Sequence, residues 1–172
     1  MLVVAVTMML TPALFIFYER GIAPRGAAGS DQPADEIDEK GTAIVAGVGR
    51  FGIVVSRMLA TNGHKVVVLD HDADLIELLR RVGIKTWYGD ATRSDLLEAS
   101  GIAEAQLFVA ALDDRERQVQ LVEHVVEHYP NCRVLARAQD HGHMFQLEQA
   151  GAHHVEREVL ESAITAGRTA LI

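Results

Sequence analysis

The stretch Ile44 to Gly52 reads IVAGVGRFG, a short apolar run followed by Gly47, Gly49 and Gly52 at the spacing G-x-G-x-x-G. That spacing suits a phosphate. The first glycine permits a tight turn, the second lets backbone approach a pyrophosphate, and the third lets the next helix pack closely. The helix N-terminus adds unpaired N–H groups and a partial positive charge. Val48, Arg50 and Phe51 fill the intervening positions and belong to the same loop. The run VVVLD then ends on Asp70, about 20 residues further on, where a carboxylate accepts from ribose hydroxyls and repels a 2′-phosphate. This combination favours NAD(H) or an adenosine nucleotide such as AMP over NADP(H).

Other residues should reach the same rim. His71 and Asp72 follow Asp70 directly, and Asp72 serves equally well as a helix N-cap. YGDATR, Tyr88 to Arg93, places Asp90, Ala91 and Thr92 where an adenine edge would lie; Thr92 can instead cap a helix, with Asp95 completing a capping box. ALDD brings Leu112, Asp113 and Asp114 to the rim, again as ligand contacts or caps.

No catalytic constellation accompanies these residues. An NAD-dependent oxidoreductase needs a region that presents substrate and supplies an acid or base, and after the last expected strand only 156–172 remain. The pair His124 and His128, one helical turn apart, and the histidines at 141, 143, 153 and 154 have chelating spacings, but no carboxylate or cysteine is placed to complete a shell. No metal site is expected. The single cysteine, Cys132, excludes an internal disulfide and reads as a small buried residue. With 24 acidic against 16 basic residues, a net charge of -8 and no basic stripe, nucleic acid is excluded as a partner.

The elements needed to position the loop are legible as an alternation. Apolar runs at 42–46, 65–69, 85–88, 106–111, 133–136 and 152–155 are each followed by a segment of helical period. Near-continuous apolar strands imply burial on both faces, hence a parallel sheet covered by helices. Asn62-Gly63, Gly83 and Gly101 end helices, while Asp72, Thr92 and Asp113 or Asp114 start them. The fold class is α/β, a doubly wound parallel sheet of Rossmann type over residues 42–172.

The N-terminal part differs. Met1 to Tyr18 carries no charge and gives way to Glu19, Arg20 and Arg25. Roughly 17 apolar residues just span a hydrocarbon core, so 1–18 is expected to be a transmembrane helix. A signal peptide would carry its cations before the apolar run, and these follow it; a buried core helix is the other alternative. Cations on the C-terminal side place residues 19–172 in the cytoplasm. Pro12 requires neighbouring helices, which makes this the last helix of a larger bundle. Residues 19–41, rich in Gly, Ala, Pro and acid, form a linker.

The motifs IVAGVGRFG, VVVLDHD, YGDATRSDLLEASG, ALDD, VLARAQD and QAGAHHVERE together resemble, in order and spacing, the RCK or KTN domain of Kef-type glutathione-gated potassium/proton antiporters. The resemblance runs from about Thr42 to the C-terminus and extends to the apolar segment before it. It implies a regulatory domain in the inner membrane's cytoplasmic face that binds AMP or NAD(H) and forms a homodimer through the outer sheet edge and last helix. It also implies an attached membrane antiporter domain, an ancillary oxidoreductase-like subunit, and glutathione held at the dimer interface. Arg50 and Arg137 match the family's glutathione-binding arginines, and Arg suits carboxylates because its planar fork bonds them bidentately. Arg50 can equally contact phosphate, and Arg137 can pair with Asp140 or Glu156. The family's second arginine of RARD is Gln139 here, which removes a cation from that position. An RCK regulator of a potassium channel is the alternative function, with a soluble NAD-dependent oxidoreductase subunit behind it.

Overall fold

The computed structural model describes residues 41–81 and 85–171. The transmembrane helix expected over 1–18, the linker apart from Gly41, and the helix-ending Gly83 lie outside the described residues. No helix among the described residues is long and apolar enough to cross a membrane.

Among the described residues six strands alternate with six helices: β1 Ala43–Ala46, α1 Arg50–Thr61, β2 Val66–Asp70, α2 Ala73–Arg81, β3 Thr86–Tyr88, α3 Ser94–Ala99, β4 Leu107–Ala110, α4 Arg115–His128, β5 Arg133–Ala138, α5 His141–Gln149, β6 His154–Arg157 and α6 Leu160–Ala170. All strand pairs are parallel, and the order across the sheet is β3-β2-β1-β4-β5-β6. This is the doubly wound Rossmann order, with its switch point between β1 and β4. The expected fold class is borne out.

The central strand explains why the apolar runs were continuous. Ile44 and Ala46 join one buried cluster with Leu97, Leu121, Val125 and Leu147 from α3, α4 and α5. Val45, between them, joins a second cluster with Leu79 of α2 and with Phe51, Val55 and Leu59 of α1. Successive side chains point to opposite faces of a strand, so a strand covered twice must be apolar at every position.

The last strand lies later than its apolar run suggested. The expected 152–155 becomes His154–Arg157, because Gly151 still belongs to the turn that ends α5, at φ 92°. As an edge strand β6 is only half-covered and takes polar residues, which hides it from an apolar pattern.

Candidate functional site at the sheet's C-terminal edge

The glycine loop is shaped by contacts a side chain would destroy. Gly47 has φ 93°, and a Cβ there would lie 2.5 Å from the Ala111 carbonyl oxygen. A Cβ on Gly52 would lie 1.9 Å from the Gly47 oxygen, so α1 sits directly on the loop. Gly49 is different: a Cβ there would meet no protein atom within 4 Å. No protein atom therefore requires a glycine at 49, and the backbone of the loop is open there. Gly49 also stands at the N-cap of α1 with no side-chain cap, leaving the first N–H groups of the helix to face an anion.

Asp70 ties β2 to this loop. Its Oδ2 accepts the Val48 amide at 2.6 Å, its Oδ1 accepts the Asp72 amide at 2.9 Å, and His71 Nδ1 lies 3.6 Å from Oδ1. A carboxylate has roughly four acceptor sites, so Asp70 retains capacity for a ligand hydroxyl. Asp72 does cap α2, accepting the Leu75 amide at 3.0 Å.

A cleft beside Asp70 is lined by His71, Asp90, Ala91, Leu112, Asp113 and Asp114, all expected at the rim, together with Gly89 and Arg117. The loops after β2, β3 and β4 thus converge. The glycine loop joins them through the Val48–Asp70 bond, and Thr92 through Asp90. Thr92 is not the cap of α3: Arg93 holds that position without a side-chain cap bond. Instead Asp90 Oδ1 accepts from the Thr92 amide at 3.0 Å and from its hydroxyl at 2.7 Å. Asp90 wins the hydroxyl because its carboxylate lies two residues away, in Asx-turn geometry. Of the two candidates for the cap of α4, Asp114 takes it, accepting the Arg117 amide at 3.1 Å.

Arg117 was not foreseen. It crosses from α4 to the β3–α3 loop, donating to Asp90 Oδ2 and to the Thr92 hydroxyl at 3.1 Å. Partial burial pushes the Asp90 carboxyl upward, but the Thr92 hydrogen bonds and the Arg117 charge outweigh it and hold the group below its ordinary value.

Arg137 is 5% exposed and lies at the end of β5. It donates to Glu158 Oε2 at 2.8 Å, to the Leu112 carbonyl at 2.7 Å and to Asp113 Oδ1 at 2.8 Å. Neither Asp140 nor Glu156 is its partner. Glu156 is its Cα partner across the ladder, yet the long guanidinium reaches further along the strand direction to Glu158. Arg50, 94% exposed, places its guanidinium 3.5 Å from the other oxygen of the same Glu158. One carboxylate therefore joins the two arginines, a residue that sequence spacing did not single out.

Gln139 does not leave its position without a cation. Arg115 donates to Gln139 Oε1 at 2.9 Å and pairs with Asp140, while Gln139 Nε2 donates to the Asp113 carbonyl at 2.7 Å. A guanidinium from α4 thus stands beside the site where the expected cation was missing.

Elsewhere, the rings of His124 and His128 stack with centroids 4.3 Å apart, and among the described residues no group of three or more potential ligands gathers around a metal position. Cys132 is buried, which pushes its thiol up to about 11.

The TrkA-N domain model matches residues 43–158. The chain belongs to the TrkA-N domain family. The expected likeness to Kef proteins is borne out as well: the glutathione-regulated potassium-efflux system protein KefC of Salmonella arizonae is 47% identical over 99% of this chain, and KefC of Escherichia coli is 46% identical over the same share. The chain spans 27% of the length of these relatives. Among solved structures, the Kef CTD of Shewanella denitrificans in AMP-bound form is 40% identical, with a TM-score of 0.68, over 75% of this chain and 78% of that one. The GsuK channel bound to NAD, at 24% identity and TM-score 0.62 over 83% of this chain and 26% of that one, shares the TrkA-N fold.

Proposed function

We propose that this TrkA-N domain is the cytoplasmic regulatory domain of a potassium/proton antiporter in the inner membrane, binding AMP or NAD(H) and gating potassium efflux. Support comes above all from Gly49, open to a phosphate at the start of α1, with Asp70 hydrogen-bonded to the neighbouring amide. The Kef CTD relative is described in its AMP-bound form and the KefC relatives as glutathione-regulated. Phosphate would sit at the Val48–Phe51 amides, ribose hydroxyls at Asp70 with His71 and Asp72 beside it, and the base against Asp90, Ala91, Thr92, Leu112 and Asp113. In this reading the domain senses the nucleotide rather than turning it over.

Glutathione would offer its carboxylates to Arg50 and Arg137, displacing Glu158 from one or both. A homodimer would bury the exposed Val159 and Ile164, at 61% and 38% exposure, since α6 has no buried residue of its own. The antiporter domain and an ancillary oxidoreductase-like subunit complete the assembly. Calorimetric titration with AMP, NADH and NADPH tests the reading: AMP or NADH should bind well ahead of NADPH, and equal affinity for NADPH would remove the role given to Asp70.

A further inference from the structure

Asp90 is a carboxylate at the edge of the cleft, and a carboxylate with both oxygens available recognises two adjacent N–H donors. Guanine presents such a pair, its ring N1–H beside its exocyclic amine. An unmodified Asp90 would therefore favour guanine. Its oxygens are not available in that way. Oδ1 accepts from the Thr92 amide and hydroxyl, and Oδ2 accepts from Arg117. Arg117 also donates to the Thr92 hydroxyl at 3.1 Å, which fixes its guanidinium between the two residues.

From this arrangement we infer that Arg117 selects adenine over guanine, by turning Asp90 from a two-acceptor surface into an acceptor beside a donor. Adenine has the matching edge, an N6 amine next to the ring acceptor N7. Guanine has O6 and N7 there, both acceptors, so one of them would face the Asp90 oxygen without a proton between them. Its other edge would need both Asp90 oxygens, and Arg117 and Thr92 hold them. Selectivity arises as much from this rejection as from attraction. The inference rests on nucleotide binding in this cleft.

Arg117 is suited to such a task. Its planar fork can hold Asp90 and still offer a further N–H to the cleft it lines, and its side chain is 41% exposed. Its place in α4 follows from Asp114, whose cap sets the first turn of that helix.

The test is calorimetric titration of the full chain, in mild detergent because of its apolar first segment, with AMP and with GMP. The parent should prefer AMP by at least about tenfold. Arg117→Met should collapse that ratio by about tenfold or more, through weaker AMP and tighter GMP binding together. Thr92→Val, which releases Oδ1 from the hydroxyl, should move the ratio the same way by a smaller factor. If Arg117→Met weakens both nucleotides equally and the ratio stands, Arg117 only supports the loop and the inference fails. A parent that binds AMP and GMP alike overturns the inference while sparing the nucleotide reading; a parent that binds neither overturns both.

Discussion

The amide of Val48 donates to Asp70 Oδ2 at 2.6 Å, across 22 residues of sequence and with both groups buried. Asp70 therefore holds the glycine loop against the end of β2 and, in the proposed reading, stands beside the ribose hydroxyls as well. Asp70→Ala should weaken AMP binding by on the order of 1–3 kcal/mol and narrow the gap between NADH and NADPH. Asp70→Asn should preserve more of the loop than of the discrimination, because an amide oxygen can still accept from Val48 but carries no charge to repel a 2′-phosphate. Titration of both variants separates the two roles.

Gly52 and Gly49 should separate as well. Gly52→Ala forces a methyl to within 1.9 Å of the Gly47 oxygen, so the domain should lose thermal stability or fail to accumulate folded. Gly49→Ala meets no protein atom and its backbone, at φ -51°, suits any residue. That variant should melt where the parent melts and yet lose most AMP affinity. Unchanged affinity in Gly49→Ala would mean that nothing approaches the loop.

Arg137 is buried, and its removal leaves Glu158 and the Leu112 carbonyl short of a donor. Arg137→Ala should cost about 1–3 kcal/mol in denaturant unfolding, and Arg137→Lys should recover only part of it because one ammonium cannot span three acceptors. Glutathione at millimolar concentration should raise the parent's melting temperature by mass action on the native state and have little effect on Arg137→Ala, while AMP stabilises both. A full glutathione response in the variant would take Arg137 out of the effector site.

His143 gives the domain a pH dependence of known sign. It is fully buried in α5, and its Nδ1 accepts the Gln139 amide at 3.3 Å. Burial first, then the charges of Arg115 and Arg137, push its pKa below the ordinary 6.5 against a smaller opposite pull from Asp140. Between 6.5 and the lower folded-state value the unfolded chain binds more protons than the folded one, so stability falls as pH drops through that window. His143→Asn, whose side-chain oxygen can accept the same amide, should show a flatter profile between pH 7 and 5. The lowered carboxyls of Asp90 and Asp140 act at more acid pH, near and below their ordinary 3.8, so the two windows are distinct.

Much of this is legible in the sequence. The sheet could be read because its inner strands are covered on both faces and so carry apolar residues without interruption, as Ile44, Val45 and Ala46 do. The glycine loop and Asp70 could be read because backbone constraints impose fixed spacings along one βαβ unit. Arg117, Glu158 and Arg115 could not. Each acts through a long side chain that reaches an element far away in sequence, and no local period marks such a reach. Of the two roles open to Thr92, capping falls away for a related reason, since only the structure shows that Asp90 takes its hydroxyl. The shifted β6 marks the limit of hydrophobic pattern at a sheet edge.

The central claim is that an adenine nucleotide lies across the sheet's C-terminal edge with its phosphate on the glycine loop. Amide resonances of isotope-labelled protein, followed by NMR during AMP addition, test it most directly. Val48, Gly49 and Arg50 should move in a saturable way together with Asp90, Ala91, Thr92 and Leu112, and the Arg137 and Glu158 amides should move less. No displacement at millimolar AMP, or displacement confined to the outer face of α4 around His124, would contradict the account.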